Sequence, residues 1–467
     1  MEKNEELVGV VSGIGSNGEG IIKQNGTVVF VPFTLIGEKV RYKVLKVTSK
    51  CAYGKVLEVL TPAEIRVRAK CPVFSKCGGC QLQHVKYINQ LKIKEENIAL
   101  AFKKIANIDV DVKPTVKGDD QFRYRNKLQL PVVNSSRGTE VGFYAENSHR
   151  VIPIDDCIIN APWTENVIYA FKRYIDECGI VGYNEQDGSG DIREITVKDV
   201  KGNLIVTVVT PTKKLKRAEI LIDILKQDLK YNFSLYQNVN NKMTNVIFGD
   251  EFILHYGAPD YTAEMLGLKY KIGVQSFMQV NNSVCSKLYS TVRELVGADE
   301  NTVVIDAYSG AGLMTALLAK NAKKAIGVEI IPEAVSCANE LALINGLNEK
   351  VINFQGKCED IIPDIIAEQK SQNAKICVVL DPPRKGCDIK VLNAIKSSSI
   401  DKIVYVSCMP STLARDVGIL TGTLKVVNGQ LIKSEDTNLD YNISYIRPFD
   451  MFAQTKHVET LVVLQRK

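Results

Sequence analysis

From about residue 270 onward, the chain alternates short apolar runs with loops and helical stretches, and this alternation constrains the fold more than any other feature. The apolar runs lie at Val303–Ile305, Ala325–Val328, Ile376–Leu380 and Ile403–Val406. Strands that alternate with helices are typical of a parallel, doubly wound α/β sheet. In such sheets, ligand sites gather at the carboxyl ends of the strands. We therefore expect an α/β, Rossmann-like domain over residues 263–467, with its site on the loops that follow these runs.

Residues 1–62 have a different pattern, in which β-branched residues alternate with Gly and Asn turn signals. This pattern predicts a small, OB-like β-barrel. Its basic and aromatic residues fit either a solvated strand face or an RNA-contacting surface; they are Lys39, Arg41, Lys43, Lys46, Tyr42 and Tyr53. A mixed α+β central domain is expected at residues 63–262, with an amphipathic helix around 86–106 that packs on the C-terminal domain.

Composition limits the class of protein. Hydrophobic residues make up 45% and charged residues 24% of the chain, as in ordinary globular proteins. The start, MEKNEEL, lacks the apolar core of a secretory signal, and no apolar run approaches the roughly 20 residues of a transmembrane helix. We expect a cytoplasmic protein whose twelve cysteines are thiols, metal ligands or nucleophiles rather than disulfides. The net charge of +6 permits a nucleic-acid partner without requiring one.

The segment VVIDAYSGAGLMTALLA predicts a strand, a turn with Gly310 and Gly312, and a helix. Glu329 follows the next apolar run, at the spacing where a carboxylate accepts hydrogen bonds from ribose hydroxyls. The turn resembles motif I of the class I S-adenosylmethionine methyltransferases more than the GxGxxG of a dinucleotide site. S-adenosylmethionine is therefore the expected cofactor, and NAD is the alternative.

Two further loops carry the expected chemistry. Asp381 lies in DPPRKGCD, where consecutive prolines stiffen the chain. Cys408 follows an apolar run and precedes Pro410, so the amino end of a helix is expected to favour its thiolate. A thiolate that adds to carbon 6 of uracil makes carbon 5 nucleophilic towards a sulfonium methyl group. The cycle then needs a general base, and we assign Glu459 rather than its neighbour His457.

Taken together, these motifs are similar to those of the bacterial RNA 5-methyluridine methyltransferases that act on 23S ribosomal RNA, with a tRNA-modifying branch as a close relative. The resemblance spans nearly the whole chain. Its segments are CPVFSKCGGCQLQH, FRYRNKLQLPV, GFYAENSHRVIPIDDC, SFMQVN, DAYSGAG, GVEI, DPPRKGCD, VSCMPSTLARD and DMFAQTKHVE.

The resemblance implies a role for each matching residue. Cys408 would be the nucleophile and Glu459 the base. The cofactor and target-base pocket would be lined by Gln279, Tyr308, Glu329 and Asp381. The ligands of a [4Fe–4S] cluster would be Cys71, Cys77, Cys80 and Cys157, although their spacing alone fits zinc equally well. The barrel would be an RNA-binding TRAM domain, and the target uridine would be flipped into the pocket.

Two residues depart from the family pattern: Met409 stands where Asn is usual after the nucleophile, and Ala453 where Pro is usual. The first departure keeps open a catalytically weakened, RNA-binding iron–sulfur protein. An iron–sulfur redox protein and a base-amine methyltransferase are further alternatives. No membrane and no obligate protein partner are implied, and the target uridine, the choice between ribosomal RNA and tRNA, and the oligomeric state stay open.

Overall fold

The computed structural model describes residues 1–398, 400–434 and 440–467. The N-terminal strands are β1 (Glu6–Ile14), β2 (Gly20–Gln24), β3 (Thr27–Val31), β4 (Lys39–Val47) and β5 (Ala52–Thr61). They close into a barrel with the order β1-β2-β3-β5-β4. Alternate side chains such as Val11, Val29 and Val40 fill its interior, as the period of two in a strand dictates. The small barrel expected from the sequence is confirmed.

On strand β4, Arg41 and Tyr42 point to opposite faces of the barrel wall. Arg41 is exposed and bonds to Glu58 at 2.9 Å, whereas Tyr42 is fully buried in the barrel core. Tyr53 is 42% exposed and stacks on Phe30 with ring centroids 5.7 Å apart. The grouping of Tyr42 with an RNA-contacting surface is therefore wrong, because successive side chains of a strand point to opposite faces.

The central part combines helices with a mixed sheet. Its elements are α1 (Tyr87–Ala101), β6 (Lys127–Ser135), β7 (Gly138–Tyr144), β8 (Val151–Pro153), α2 (Trp163–Cys178), β9 (Glu194–Val200), β10 (Asn203–Thr210), α3 (Ala218–Asp228), β11 (Asn232–Val239) and β12 (Glu251–Tyr256), followed by the hairpin β13 (Asp260–Met265) and β14 (Leu268–Gly273). The sheet has the order β12-β11-β10-β9-β6-β7-β8. The helices α2 and α3 cover one face, and the hairpin packs on the other through Val200, Ile205 and Ile272.

The C-terminal part is a doubly wound sheet. Its elements are α4 (Asn282–Val296), β15 (Thr302–Ala307), α5 (Leu313–Ala319), β16 (Lys324–Glu329), α6 (Pro332–Ile344), β17 (Val351–Gln355), α7 (Cys358–Ser371), β18 (Lys375–Leu380), α8 (Ile389–Ser397), β19 (Lys402–Ser407), α9 (Pro410–Thr421), β20 (Leu424–Val427), β21 (Gln430–Lys433), β22 (Tyr441–Phe449) and β23 (Glu459–Arg466). The order is β17-β16-β15-β18-β19-β23-β22, with β23 antiparallel to β19. The expected α/β fold is confirmed. Within the described ranges, the helices all fall short of the length and apolarity that a bilayer crossing needs.

The helix α1 crosses from the central part to the C-terminal sheet. It continues into a π-helical turn at Phe102–Ala106. Ile98 and Phe102 are completely buried in the same apolar cluster as Leu413 and Val417 of α9. The helix thus packs on the C-terminal part, and the domain boundaries at residues 62 and 262 stay predictions.

Candidate active site

The register of the parallel strands brings the expected site residues to one edge of the C-terminal sheet. Ala307 ends β15 and pairs with Leu380, which ends β18. Tyr308 and Asp381 therefore leave the sheet side by side, and the Asp381 N–H donates to the Ala307 carbonyl at 3.4 Å. Tyr308 has a φ of 64°, a strained conformation for a bulky residue that is typical of functional sites.

Glu329, at the end of β16, is bound to the glycine turn. The Gly310 N–H donates to Glu329 Oε2 at 3.0 Å and the Ile331 N–H donates to Oε1 at 2.9 Å. Gly312 has a φ of 78°, and a Cβ there would lie 2.6 Å from that of Ala338. Only glycine therefore allows the turn to pack against α6. Each carboxylate oxygen of Glu329 has two lone pairs, so these bonds leave it acceptor capacity.

A cavity of about 410 Å³ opens at this edge, between the C-terminal sheet and the hairpin β13–β14. The expected site residues on its wall are Gln279, Tyr308, Asp381, Cys408 and Glu459. Glu329 is outside this lining, but its side chain binds Gly310 of the glycine turn that forms part of the wall. The structure thus gathers residues that are up to 180 positions apart in the sequence.

The pairing of β19 with β23 brings Cys408 and Glu459 together. Ser407 at the end of β19 pairs with Thr460 of β23. Cys408 directly follows Ser407 and Glu459 directly precedes Thr460, so the two residues lie at the same end of the paired strands. Cys408 is half-buried, and Glu459 is only 6% exposed. Cys408 and Glu459 therefore line the same cavity.

The surroundings of Cys408 oppose ionisation of its thiol. Burial raises its pKa, and the neighbouring carboxylates of Glu459 and Asp381 raise it further, whereas Arg384 lowers it. The sequence predicts the opposite direction from the amino end of α9. That prediction is wrong, because burial and two negative charges outweigh the helix dipole.

Three carboxyl groups at this edge of the sheet have raised pKa values. Burial raises the pKa of Glu459 to about 8, the charge of Asp381 adds to this, and Arg384 opposes it. Burial also raises the pKa values of Asp381 and Asp306 to about 7. Carboxyl groups with pKa values moved towards the working pH are typical of acid–base sites.

A central-domain asparagine fixes the segment that carries Gln279. The side-chain amide of Asn126 donates to the Gln279 carbonyl and to Asn282 Oδ1, both at 2.9 Å. The Asn126 N–H donates to the Val280 carbonyl at 3.0 Å. This wall of the cavity therefore depends on contacts between the two parts of the chain.

Two cavity residues have no distinguishing signal in the sequence. Cys285 looks like any buried cysteine, yet it lines the cavity, and burial with the charges of Asp381 and Glu459 raises its pKa to about 12. Ser309 Oγ is buried and has no hydrogen-bond partner among the described residues. The apolar spacing of α4 could have placed Cys285 on the inner face of that helix, but nothing local relates it to the site.

A second cavity, of about 830 Å³, is lined by the four cysteines Cys71, Cys77, Cys80 and Cys157. Burial raises the pKa of Cys80 to about 12 and that of Cys157 to about 11, and the other thiols of the group raise both further. Arg384 and Phe452 line both cavities, whereas His457 lines only the second. The described residues nevertheless contain no group of three or more His, Cys, Asp or Glu side chains arranged to hold a metal ion.

The models of two known protein families match this chain. Residues 200–467 match the model of the tRNA (uracil-5-)-methyltransferase family, and residues 10–57 match that of the TRAM domain. The chain belongs to the tRNA (uracil-5-)-methyltransferase family. The matched region contains every residue that lines the active-site cavity, and the TRAM match falls within the barrel strands.

Relatives match over the whole chain. An uncharacterized RNA methyltransferase of Clostridium acetobutylicum is 38% identical over 474 residues, which cover 100% of this chain and 98% of the relative. One of Halalkalibacterium halodurans is 36% identical, with the same coverage. The crystal structure of Pyrococcus abyssi tRNA (uracil-54, C5)-methyltransferase in complex with S-adenosyl-L-homocysteine has a TM-score of 0.74 and covers 98% of this chain and 100% of its own. At 24% identity, this last match shows a common fold.

The two departures from the family pattern leave the site assembled. Met409 precedes α9 and its side chain makes no capping hydrogen bond. Its backbone is held instead, because its N–H donates to Ser407 Oγ and its carbonyl accepts from the Thr412 hydroxyl, both at 3.2 Å. The Ala453 carbonyl accepts from the Tyr124 hydroxyl at 3.0 Å.

Proposed function

We propose that this protein transfers a methyl group from S-adenosylmethionine to carbon 5 of a uracil in 23S ribosomal RNA, with Cys408 as a transient covalent nucleophile. The observation that carries the proposal is the single cavity shared by Cys408, Asp381 and Glu459 beside the glycine turn. Membership in the uracil-5-methyltransferase family supports the same reaction.

The residues around the glycine turn fit the adenosine end of S-adenosylmethionine. Glu329 offers acceptors to ribose hydroxyls. Ser309 Oγ provides a polar atom that still lacks a partner in the described structure. Ile330 and Ile331, each 54% exposed, follow Glu329 directly and provide apolar surface for a purine ring. When bound there, the cofactor supplies an electrophilic methyl group on a sulfonium.

Cys408 begins the reaction on the RNA. A sulfur lone pair of its thiolate forms the bond to carbon 6, and the electrons of the carbon 5–carbon 6 double bond move towards oxygen 4 as an enolate. Asp381 and Arg384 lie on the same wall and can hydrogen-bond the edge of the pyrimidine ring. Carbon 5 would then take the methyl group, leaving S-adenosylhomocysteine as the thioether, and would carry the methyl group together with its original proton.

Glu459 completes the cycle as the general base. It removes the proton from carbon 5, the double bond forms again, and the bond between carbon 6 and sulfur breaks to release the Cys408 thiolate. A carboxyl group whose pKa is raised to about 8 is a stronger base, once ionised, than an ordinary glutamate. The position of Glu459 in the same cavity as Cys408 suits this task.

The assignment to 23S ribosomal RNA rests on the resemblance of the motifs along the chain to those of the branch that acts on ribosomal RNA. The family model supports tRNA as the alternative. Phe277 is 75% exposed at the rim of the cavity and offers a stacking surface for an unstacked base of either RNA. Because ribosomal RNA is modified in the cytoplasm, the assignment also places the protein there.

We further propose that Cys71, Cys77, Cys80 and Cys157 hold a [4Fe–4S] cluster, with zinc as the alternative. The common cavity of these four half-buried cysteines supports this, since both groups prefer thiolate ligands. The cluster would order the RNA-facing loops, and no step of methyl transfer uses it. Protein purified without oxygen is expected to contain about four irons and four sulfides per chain; zinc without sulfide would contradict the cluster.

Methylation of isolated RNA tests the function. Purified protein is incubated with cofactor labelled in the methyl group and, separately, with 23S ribosomal RNA and tRNA from cells that lack the protein. We expect label in 5-methyluridine of the ribosomal RNA. Label in tRNA alone would overturn the substrate assignment but not the chemistry, and the absence of labelled 5-methyluridine from both would contradict the proposed reaction.

A further inference from the structure

A buried lysine of the central sheet binds the segment that forms one wall of the active-site cavity. Lys198 lies on β9 and is 5% exposed. Its ammonium donates to the carbonyls of Gly273, Val274 and Ser276, at 3.4, 2.6 and 2.5 Å. All three protons of the ammonium group therefore point into one short stretch of main chain.

That stretch leads directly to the cavity. It follows β14, and the residues after it, Phe277, Met278 and Gln279, line the cavity together with Ser276. The Ser276 hydroxyl accepts from the Gly273 N–H at 3.0 Å and closes a tight turn. We call residues 273–279 the strap. Its far end is held by Asn126, so two side chains from the central sheet fix it at both ends.

The groups around Lys198 make its contact with the strap important for the stability of both. The acceptors of Lys198 are carbonyl dipoles, and the charged neighbour that most affects it is another cation, Lys127. Burial lowers the pKa of Lys198 to about 7, and Lys127 lowers it further. A buried cation without a carboxylate partner is stable only where such dipoles stay in place. The strap carbonyls therefore stabilise the buried ammonium, and the ammonium in turn fixes the conformation of the strap.

We propose that Lys198 is a positioning residue for the cofactor: it holds the strap so that Gln279 forms part of the wall against which S-adenosylmethionine binds. The proposal rests on the proposed function, since it assumes that the cavity takes this cofactor. Under this proposal, the affinity for the cofactor depends on Lys198, which lies in the central sheet and not in the C-terminal sheet. Lys198 does not line the cavity, so its effect must pass through the strap.

Binding of S-adenosylhomocysteine to the full-length protein tests the proposal without catalysis. Lys198→Met keeps the length of the side chain and removes the donors, and Lys230→Met, at an exposed lysine of the central domain, is the matched control. We expect Lys198→Met to weaken the binding of S-adenosylhomocysteine about tenfold or more, because the variant loses the charge-assisted hydrogen bonds of the ammonium group. With saturating RNA and varied cofactor concentration, KM for the cofactor should rise in parallel, while kcat changes by less than about twofold.

Hydrogen exchange separates positioning from general stability. In Lys198→Met, amides of the strap should exchange faster, whereas those of β9 and β10 should keep the wild-type rates. Faster exchange throughout the central sheet, or loss of the fold, would show a structural role and overturn the proposal. Unchanged affinity for S-adenosylhomocysteine would also overturn it. If the wild-type protein did not bind this ligand at all, the proposed function itself would fail.

Discussion

At the residue scale, the central feature is the position of Cys408 beside Glu459 in one cavity. The thiol lies among groups that raise its pKa, with burial first and the charge of Glu459 next. Burial raises the pKa of Glu459 to about 8, so its carboxylate, once formed, is a stronger base than that of a solvated glutamate. The proposed reaction uses this raised pKa in the removal of the carbon 5 proton.

Replacing Glu459 separates the two halves of the cycle. Glu459→Gln should still allow the covalent adduct to form but should prevent loss of the carbon 5 proton, so methylated RNA should stay attached to Cys408. Turnover should fall by about a hundredfold or more, the usual contribution of a general base. Denaturing gels and mass spectrometry measure the attached RNA. Glu349→Gln, at an exposed position, should behave like the wild type, and free product from Glu459→Gln at the wild-type rate would rule out the assignment.

The raised pKa of Glu459 also predicts a pH dependence. Only ionised Glu459 can take a proton, and its pKa of about 8 means that the ionised fraction grows as the pH rises through that value. An adduct formed at pH 6 and transferred to higher pH should therefore release its RNA faster, with a midpoint near pH 8. The release rate is followed after the pH jump. A rate that is constant from pH 6 to 9 would be incompatible with Glu459 as the base.

At the scale of single elements, the strand ends and helix starts place the reacting groups. Cys408 and Met409 lie between β19 and α9, where the first turn of the helix has backbone N–H groups without helical partners. The Met409 side chain satisfies none of them. The position of the nucleophile therefore depends on the backbone contacts of Met409 with Ser407 and Thr412.

An asparagine at this position should stabilise the start of α9. Met409→Asn can accept a hydrogen bond from a first-turn N–H, which is worth about 1 kcal/mol of unfolding free energy. Met409→Ala serves as the control because it offers no acceptor. Chemical denaturation measures the difference between the two variants. Equal stability of both would show that the residue after Cys408 does not act as a helix cap.

At the scale of the whole molecule, much of the C-terminal part could be predicted from the sequence. The alternation of strands and helices defines the sheet, and the carboxyl ends of parallel strands lie at one edge whatever the rest of the chain does. Tyr308, Asp381 and Cys408 all follow such strands, so their common cavity follows from local pattern and general geometry. The barrel follows in the same way from alternation and turn residues.

The rest depends on contacts between distant segments. Glu459 lies next to Cys408 only because β23 pairs with β19 in one register, and no local signal fixes that register. The pKa of Cys408 depends on the carboxyl groups that this pairing brings near. Cys285 and Lys198 look like ordinary buried residues until the packing of the hairpin and the central sheet is known.

The ion pair between Lys94 of α1 and Asp450 links the N-terminal half to the segment that leads into Glu459. Both side chains are at most 1% exposed, the Tyr87 hydroxyl also donates to Asp450 at 2.6 Å, and Lys94 donates to the Phe452 carbonyl at 3.1 Å. Lys94→Met should lower the unfolding free energy by about 3–5 kcal/mol, because it leaves Asp450 buried and unpaired.

Chemical denaturation checks this, with Lys92→Met at an exposed position of α1 as the control. Adding Asp450→Asn should recover part of the loss, since it removes the unpaired charge. If the Lys94 and Lys92 variants were equally stable, the ion pair would not hold α1 to the catalytic half.

The most direct test of covalent catalysis is trapping with RNA that contains 5-fluorouracil, in the presence of S-adenosylmethionine. Fluorine on carbon 5 cannot leave as a proton, so the adduct should persist through denaturation, and peptide mapping should find the nucleotide on Cys408. Cys408→Ala should abolish both trapping and methylation, while Cys178→Ser, in the central domain, should leave both unchanged. A nucleotide attached to Cys285, or normal methylation by Cys408→Ala, would contradict the account.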